Sequence, residues 1–287
     1  MIDDSARFAR WRSDARSAAA GPVDGDPMKS SVHVLFVAWQ DPESRRIFPI
    51  ARLSRRVSGL YEFGYVRAVH EALAHGFVAL PGFEELNRIY QSERLPELFE
   101  RGAAVRRGRS QPPGLAPTRA ASGAAAALDA APISVFVRRP NQSAPERLEV
   151  FAPPLRGEDG KYWGIFEARG VGRVQGSEAV LAALSAGQQL ALSAEPDNAY
   201  NPAAVRLELS DGTALGYVPD YFANELAAAG GRLAEVSVEV ARAERVTFAP
   251  APAVYRVECR YRCSAELGRQ LFASERYDLI ARPRVLV

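Results

Sequence analysis

Residues 195–226, EPDNAYNPAAVRLELSDGTALGYVPDYFANEL, constrain this chain more than any other stretch. They read as a strand end, an Asn/Asp/Pro turn, a strand, an Asp-Gly reversal, a short strand and a helix. Val205, Leu207 and Leu209 alternate with Arg206 and Glu208, so one strand face is apolar and the other charged. Asp211-Gly212 supplies the tight turn of a hairpin. Pro219 and Asp220 then open a helical run. A small antiparallel barrel closed by a helix fits this order.

The rest of the C-terminal half has the same character. ISVFVRR, LEVFAPP, KYWGIFEARGV, QQLALSAE, ALGYV, AEVSVEVARAERV and AVYRVECRYRC all read as strands, with helices at SEAVLAALSAG and PDYFANELAAAG. Many short strands with few helices predict a barrel or sandwich. Residues 102–131, AAVRRGRSQPPGLAPTRAASGAAAALDAA plus one neighbour, lack aromatics and cannot bury a core. They read as a flexible linker and a domain boundary. Before them, residues 31–101 read as a small α+β unit. The apolar run VHVLFVAW, then RIFPIARLS and GLYEFGYV, form a meander. The stretch RAVHEALAHG is a helix ending at Gly76, and FEELNRIYQSERLPELFERG adds a helix or two broken near Pro96. Residues 1–30 carry no strand pattern. A short helix at 5–19 is compatible with them, and Met28 is a candidate native start. The expected organisation is therefore an extension (1–30), an α+β domain (31–101), a linker (102–131) and a barrel domain (132–287).

The barrel segment resembles the HIRAN domain, over residues 162–263. The family pattern is roughly EPxNPYDxNAI, a strand, then LGYVP and a helix. The resemblance implies an OB-like fold that grips single-stranded DNA ends. It implies an end pocket lined by an Arg-aromatic pair after an early Gly and by the Tyr-Asp of the turn. Tyr200 matches the Tyr, and Asn201 stands where Asp is usual. Gly170-Val171-Gly172-Arg173 stands at the early Gly, with Gly172 in place of the Arg and Arg173 in place of the aromatic. An amide accepts a hydrogen bond from a terminal hydroxyl more weakly than a carboxylate. A lost aromatic removes a stacking platform of about 1–3 kcal/mol per base. The N-terminal meander is similar to the small N-terminal subdomain of HipA-like kinases, at Ala51-Arg52-Leu53 and at 60–65, LYEFGY. No kinase body follows, so no phosphotransfer is implied.

Several residues carry two readings. Asn198, Asn201 and Pro202 serve a ligand or merely form the turn. The Tyr200 ring faces a ligand or the core. The Tyr217 ring, after Gly216 in LGYVP, stacks on a base or packs inside. On the strand at 255–263, Tyr255, Val257, Cys259, Tyr261 and Cys263 face one way, and Arg256, Glu258, Arg260 and Arg262 the other. The second set reads either as a phosphate-following stripe or as a solvated face. Arg45, Arg46, Arg52, Arg55, Arg56 and Arg67, interleaved with Phe48, Tyr61, Phe63 and Tyr65, read as a basic-aromatic region or as an arginine-rich sheet edge. Linker arginines Arg106, Arg107 and Arg109 offer sequence-independent affinity for a polyanion.

Composition narrows the classes. The formal charge is +2 and the pI about 8.6, so no global basic field exists and any nucleic-acid contact is local. The two cysteines, Cys259 and Cys263, lie about 13 Å apart along one strand, too far for a disulfide. Both are expected in the core of a protein from a reducing compartment. No apolar run reaches the roughly 18 to 20 residues of a membrane span. No HExxH, GxSxG, Walker loop or paired carboxylate constellation appears. His70 and His75 do not share a helix face. The expected protein is a cytoplasmic, bacterial-type, non-enzymatic DNA-binding protein without cofactor or metal, acting in repair or mobile-element defence. Its expected DNA contacts are Arg173, Asn198, Tyr200, Asn201, Tyr217, Arg256, Arg260 and Arg262. The alternative is a protein-interaction module of antitoxin type with a degraded pocket, its HipA-like meander docking a kinase or other partner; an exposed apolar patch around Phe77, Leu80 and Phe83 would favour it.

Overall fold

The computed structural model describes residues 33–100, 133–137, 146–171, 177–246 and 254–281. The extension at 1–30, the helix expected at 5–19, the Met28 start and the linker with Arg106, Arg107 and Arg109 lie outside the described residues. The fold is mostly β and wholly antiparallel in its strand pairs, in two sheets.

The first sheet holds β1 (His33–Gln40), β2 (Ile47–Arg55), β3 (Tyr61–Tyr65), β4 (Tyr90–Ser92), β5 (Ile133–Val137) and β6 (Glu146–Phe151), in the order β4-β3-β2-β1-β6-β5. β1 is apolar on both sides because both of its faces are buried. Leu35, Val37 and Trp39 join one core, while Phe36 and Ala38 join the other. The first core is covered by α1 (Val69–Ala74) and by Phe77, Leu80, Phe83 and Phe99. Gly76 has the left-handed φ of +85° expected at that helix end.

The second sheet holds β7 (Leu155–Arg156), β8 (Tyr162–Glu167), β9 (Gln189–Ala194), β10 (Val205–Glu208), β11 (Ala214–Tyr217), β12 (Val236–Val246) and β13 (Val254–Cys263), in the order β11-β10-β9-β12-β13-β8-β7. It curls until β11 meets the chain leaving β8. There Arg169 N–H donates to Tyr217 O and Tyr217 N–H to Arg169 O, each at 2.8 Å. This pair closes an OB-like barrel, with α2 (Ser177–Ala183), α3 (Asp220–Ala228) and α4 (Ala265–Gln270) around it. Val257, Cys259, Tyr261 and Cys263 point into its core as the alternation predicts, and both cysteines are free.

One expectation fails in part, and the sheets do not divide where the sequence suggests a boundary. The segment 83–95 is not helical. β4 pairs with β3 there, and among the described residues helix follows Pro96 at 97–100. Tyr65 holds this irregular chain, its hydroxyl accepting from Leu80 N–H at 2.7 Å and donating to Phe83 O at 2.9 Å. The division at residue 132 also does not follow the sheets. β5 and β6 belong to the first sheet, where β6 pairs with β1 and covers an edge otherwise open. The C-terminal run returns to that sheet too: Leu279 bridges Val66, and Ile280 N–H donates to Tyr65 O at 2.9 Å.

The sheets are consequently packed together. Phe36 and Phe151 of the first meet Tyr221, Phe272 and Tyr277 of the second body. Phe151 stacks on Tyr221 with ring centroids 3.9 Å apart.

Candidate nucleic-acid interface

The turn between β9 and β10 is built by its own side chains. Asn198 Oδ1 accepts from Tyr200 N–H (3.0 Å) and Asn201 N–H (3.2 Å), and its Nδ2 donates to Glu195 (3.0 Å). Asn201 Oδ1 accepts from Ala203 N–H at 2.9 Å, and its Nδ2 donates to Asp220 Oδ1 at 3.1 Å. Asn201 is 6% exposed, so it does not present its amide to a ligand. Both asparagines therefore act as turn formers. Tyr200 is the opposite case. It lies at the tip of this braced turn with 74% of its surface exposed, so the core reading of its ring fails.

Tyr217 is half-buried, and its ring lies beside Gly170, where an added Cβ would come 3.5 Å from it. Burial, followed by the charge of the nearby Glu195 carboxylate, raises the Tyr217 hydroxyl above its ordinary range. Gly216 permits a close backbone approach, but to the protein's own chain: a Cβ there would stand 2.4 Å from Arg169 O. Arg173 and Gly172 lie outside the described residues.

The basic stripe on β13 is neutralised within the fold. Arg256 pairs with Glu167, Arg260 with Glu239 at 2.8 Å, and Arg262 has only Asp159 at 4.0 Å. Arg262 is the exposed member, with 61% of its side chain free. The correction has a physical cause. Alternation identifies the outward face of β13 but not what covers it: Arg256 meets Glu167 of the neighbouring β8, among charges to which β6 also contributes.

Those charges form a seam between the sheets that sequence reasoning missed. Glu149 of β6 pairs with Arg169 and accepts from the Tyr221 hydroxyl at 2.7 Å. Glu167 of β8 receives Arg147 at 3.2 Å, Arg169 at 3.8 Å and Arg256. Burial, then the like charges of Arg147 and Arg256, push the Arg169 guanidinium down to about 9, so it stays charged at neutral pH. Burial pushes the Tyr221 hydroxyl far up, so it remains a donor. No local signal marks Glu149 or Arg169, because their partners come from other strands. Glu195 was legible as the head of the turn. It accepts from Asn198 Nδ2 (3.0 Å) and pairs with Arg206 (2.8 Å). Among the described residues, no cluster of His, Cys, Asp or Glu is arranged to hold a metal, and no helix is long and apolar enough to cross a membrane. Phe77, Leu80 and Phe83 are at most 3% exposed, so the apolar docking patch expected there is absent.

A curled antiparallel sheet brought together at Arg169 and Tyr217, with an exposed aromatic on a braced turn, defines a small OB-like β module. Residues 164–266 match the family model of the HIRAN domain, and the chain thus carries a HIRAN domain, a class of DNA-binding module, toward its C-terminal end. Among solved structures, the crystal structure of the HIRAN domain of human HLTF is similar at 16% identity, over 40% of this chain and 85% of that one, with a TM-score of 0.28. No curated protein matches.

Proposed function

We propose that this chain is a non-enzymatic DNA-binding protein whose HIRAN domain holds single-stranded or frayed DNA ends at the Tyr200 turn. One observation carries the reading: a large aromatic, 74% exposed, on a turn fixed by side-chain hydrogen bonds from Asn198 and Asn201. A ring held this way stacks a base at little ordering cost, and stacking is sequence-tolerant. Tyr217, beside Gly170, and the nearby Glu195 carboxylate flank the turn and offer polar partners for a terminal sugar. Arg262 is the β13 arginine free enough to meet a phosphate.

The test is fluorescence anisotropy with a single strand, a blunt duplex and a 3′-phosphorylated single strand, each at two salt concentrations. Binding to the single strand that weakens with the 3′-phosphate supports end recognition. Equal binding to all three reduces the reading to a generic polyanion surface. Absence of binding at low salt refutes it.

A further inference from the structure

Asp220 opens α3, yet both of its oxygens are used outside the helix. Oδ1 accepts from Asn201 Nδ2 at 3.1 Å, and Oδ2 accepts from Ile47 N–H at 3.2 Å. One carboxylate thus holds the residue after Tyr200 and the residue after Arg46. Asp220 thereby ties the barrel turn that carries Tyr200 to the β1–β2 loop that carries Arg45 and Arg46, although the two belong to different sheets.

The loop itself is rigid. Asp41 N–H donates to Arg46 O at 2.9 Å, Arg45 N–H to Asp41 O at 3.0 Å, and Gln40 Nε2 to Arg45 O at 3.0 Å. These bonds hold Arg45 at a φ of 64°, a left-handed conformation that a non-glycine residue keeps only when its surroundings enforce it. The Arg46 guanidinium lies 5.2 Å from the centre of the buried Phe48 ring. Neither Arg45 nor Arg46 has a carboxylate partner among the described residues, unlike Arg256, Arg260, Arg169 and Arg206. The loop's own acids differ in availability. Asp41 is 4% exposed and engaged by Ser44 and Glu43 N–H, with His75 Nδ1 at 3.6 Å, whereas Glu43 is exposed and opposes the arginines.

We propose that the first sheet extends the DNA interface: a single strand stacked at Tyr200 continues across the β1–β2 loop, where Arg45 and Arg46 contact its phosphates. This rests on the proposed DNA-end function and deepens it. The chemistry is charge complementarity to a phosphodiester chain, supplied by arginines that the fold leaves unneutralised.

The test uses the full chain and a series of single-stranded DNA oligomers titrated at several salt concentrations. Each phosphate contact on a single strand contributes about 0.7 to the slope of log K against log salt. Arg45→Gln with Arg46→Gln is expected to lower that slope by about 1.4, to flatten the gain in affinity with oligomer length, and to leave the preference for a free 3′ end unchanged. Glu43→Gln, which removes only the opposing charge, is expected to raise affinity at low salt, so the proposal remains exposed should the double variant lose stability. An unchanged slope in the double variant together with an unchanged affinity in Glu43→Gln overturns the extended path while leaving the Tyr200 reading intact. Failure of the unmodified chain to bind any oligomer overturns both, and loss of the 3′-end preference in the double variant overturns the division of labour between loop and turn.

Discussion

The seam between the sheets and the turn after β9 use similar residue types to opposite ends. In the seam, Arg147, Arg169 and Arg256 meet Glu149 and Glu167 out of water, and Tyr221 gives its hydroxyl to Glu149. In the turn, polar side chains are consumed by the backbone and the aromatic is left outside. Buried charge pairs add little net stability over apolar packing, but they are severe to break, because the survivor is stranded. Seam residues are therefore expected to control folding, and Tyr200 to control binding. An arginine count alone would have assigned the seam, and not the turn, to DNA.

The sharpest way to break this contrast is Arg169→Met. It leaves Glu149 without its guanidinium at 3% side-chain exposure. A loss of about 3–5 kcal/mol is expected by urea denaturation. Glu149→Leu in the same chain should restore much of it, because the stranded charge is gone. A single-variant loss below about 1 kcal/mol would mean that water reaches the seam. Gly216→Ala comes next. Its new Cβ would stand 2.4 Å from Arg169 O, and the backbone on both sides must shift to admit it. The expected cost is about 1–3 kcal/mol, with earlier hydrogen exchange at the Arg169 and Tyr217 amides that close the barrel. Unchanged exchange at those two amides would show that the barrel is not closed there.

Tyr200→Ala sharpens the contrast from the other side. Its ring is exposed and braces nothing, so stability should stay within about 0.5 kcal/mol of the unmodified chain. Affinity for a single strand should fall by about 1–3 kcal/mol, roughly one to two orders of magnitude. A fall in melting temperature without a change in affinity would reverse the assignment.

Much of the architecture was legible. The alternation in β13 placed Val257, Cys259 and Tyr261 inside, and the unbroken apolar run of β1 reflects burial on both faces. The Asn-rich turn, the Asp211-Gly212 reversal and the helix after Pro219 all form. Pairing between distant segments was not legible. Nothing local in ISVFVRR or LEVFAPP tells whether those strands join the barrel or the edge of β1. Side-chain period likewise gives the facing of Arg256 but not its cover. The stretch before Tyr90 reads as helix because its amphipathic spacing is short and ambiguous, while the Tyr65 hydroxyl and the packing of Phe63 on Phe83 (4.1 Å between centroids) decide it. At the site, the exposure of Tyr200 and the inward commitment of Asn201 depend on Asp220, nineteen residues away.

The smallest expected effect concerns a buried carboxylate that lies outside the seam and has no arginine in ion-pair contact. Glu225 in α3 is 4% exposed and accepts from Phe272 N–H at 2.8 Å. Burial raises its carboxyl, although the hydrogen bond from Phe272 N–H, the nearby Tyr277 hydroxyl and the charge of Arg276 work against the shift. A raised folded-state value means that both states hold the proton below the ordinary carboxyl range near 4.3. As pH rises above that range, the unfolded chain releases its proton while the native chain keeps it, so stability falls. The fall ends once the native carboxyl also ionises. Glu225→Gln keeps an acceptor for Phe272 and places its amide beside the Tyr277 hydroxyl, but cannot ionise. Its stability should match that of the unmodified chain near pH 4 and exceed it modestly at pH 7, read as a flatter curve of unfolding free energy against pH. Parallel curves for the two proteins would show that Glu225 keeps an ordinary carboxyl in the native state, and that buried acids here are stabilised without an arginine.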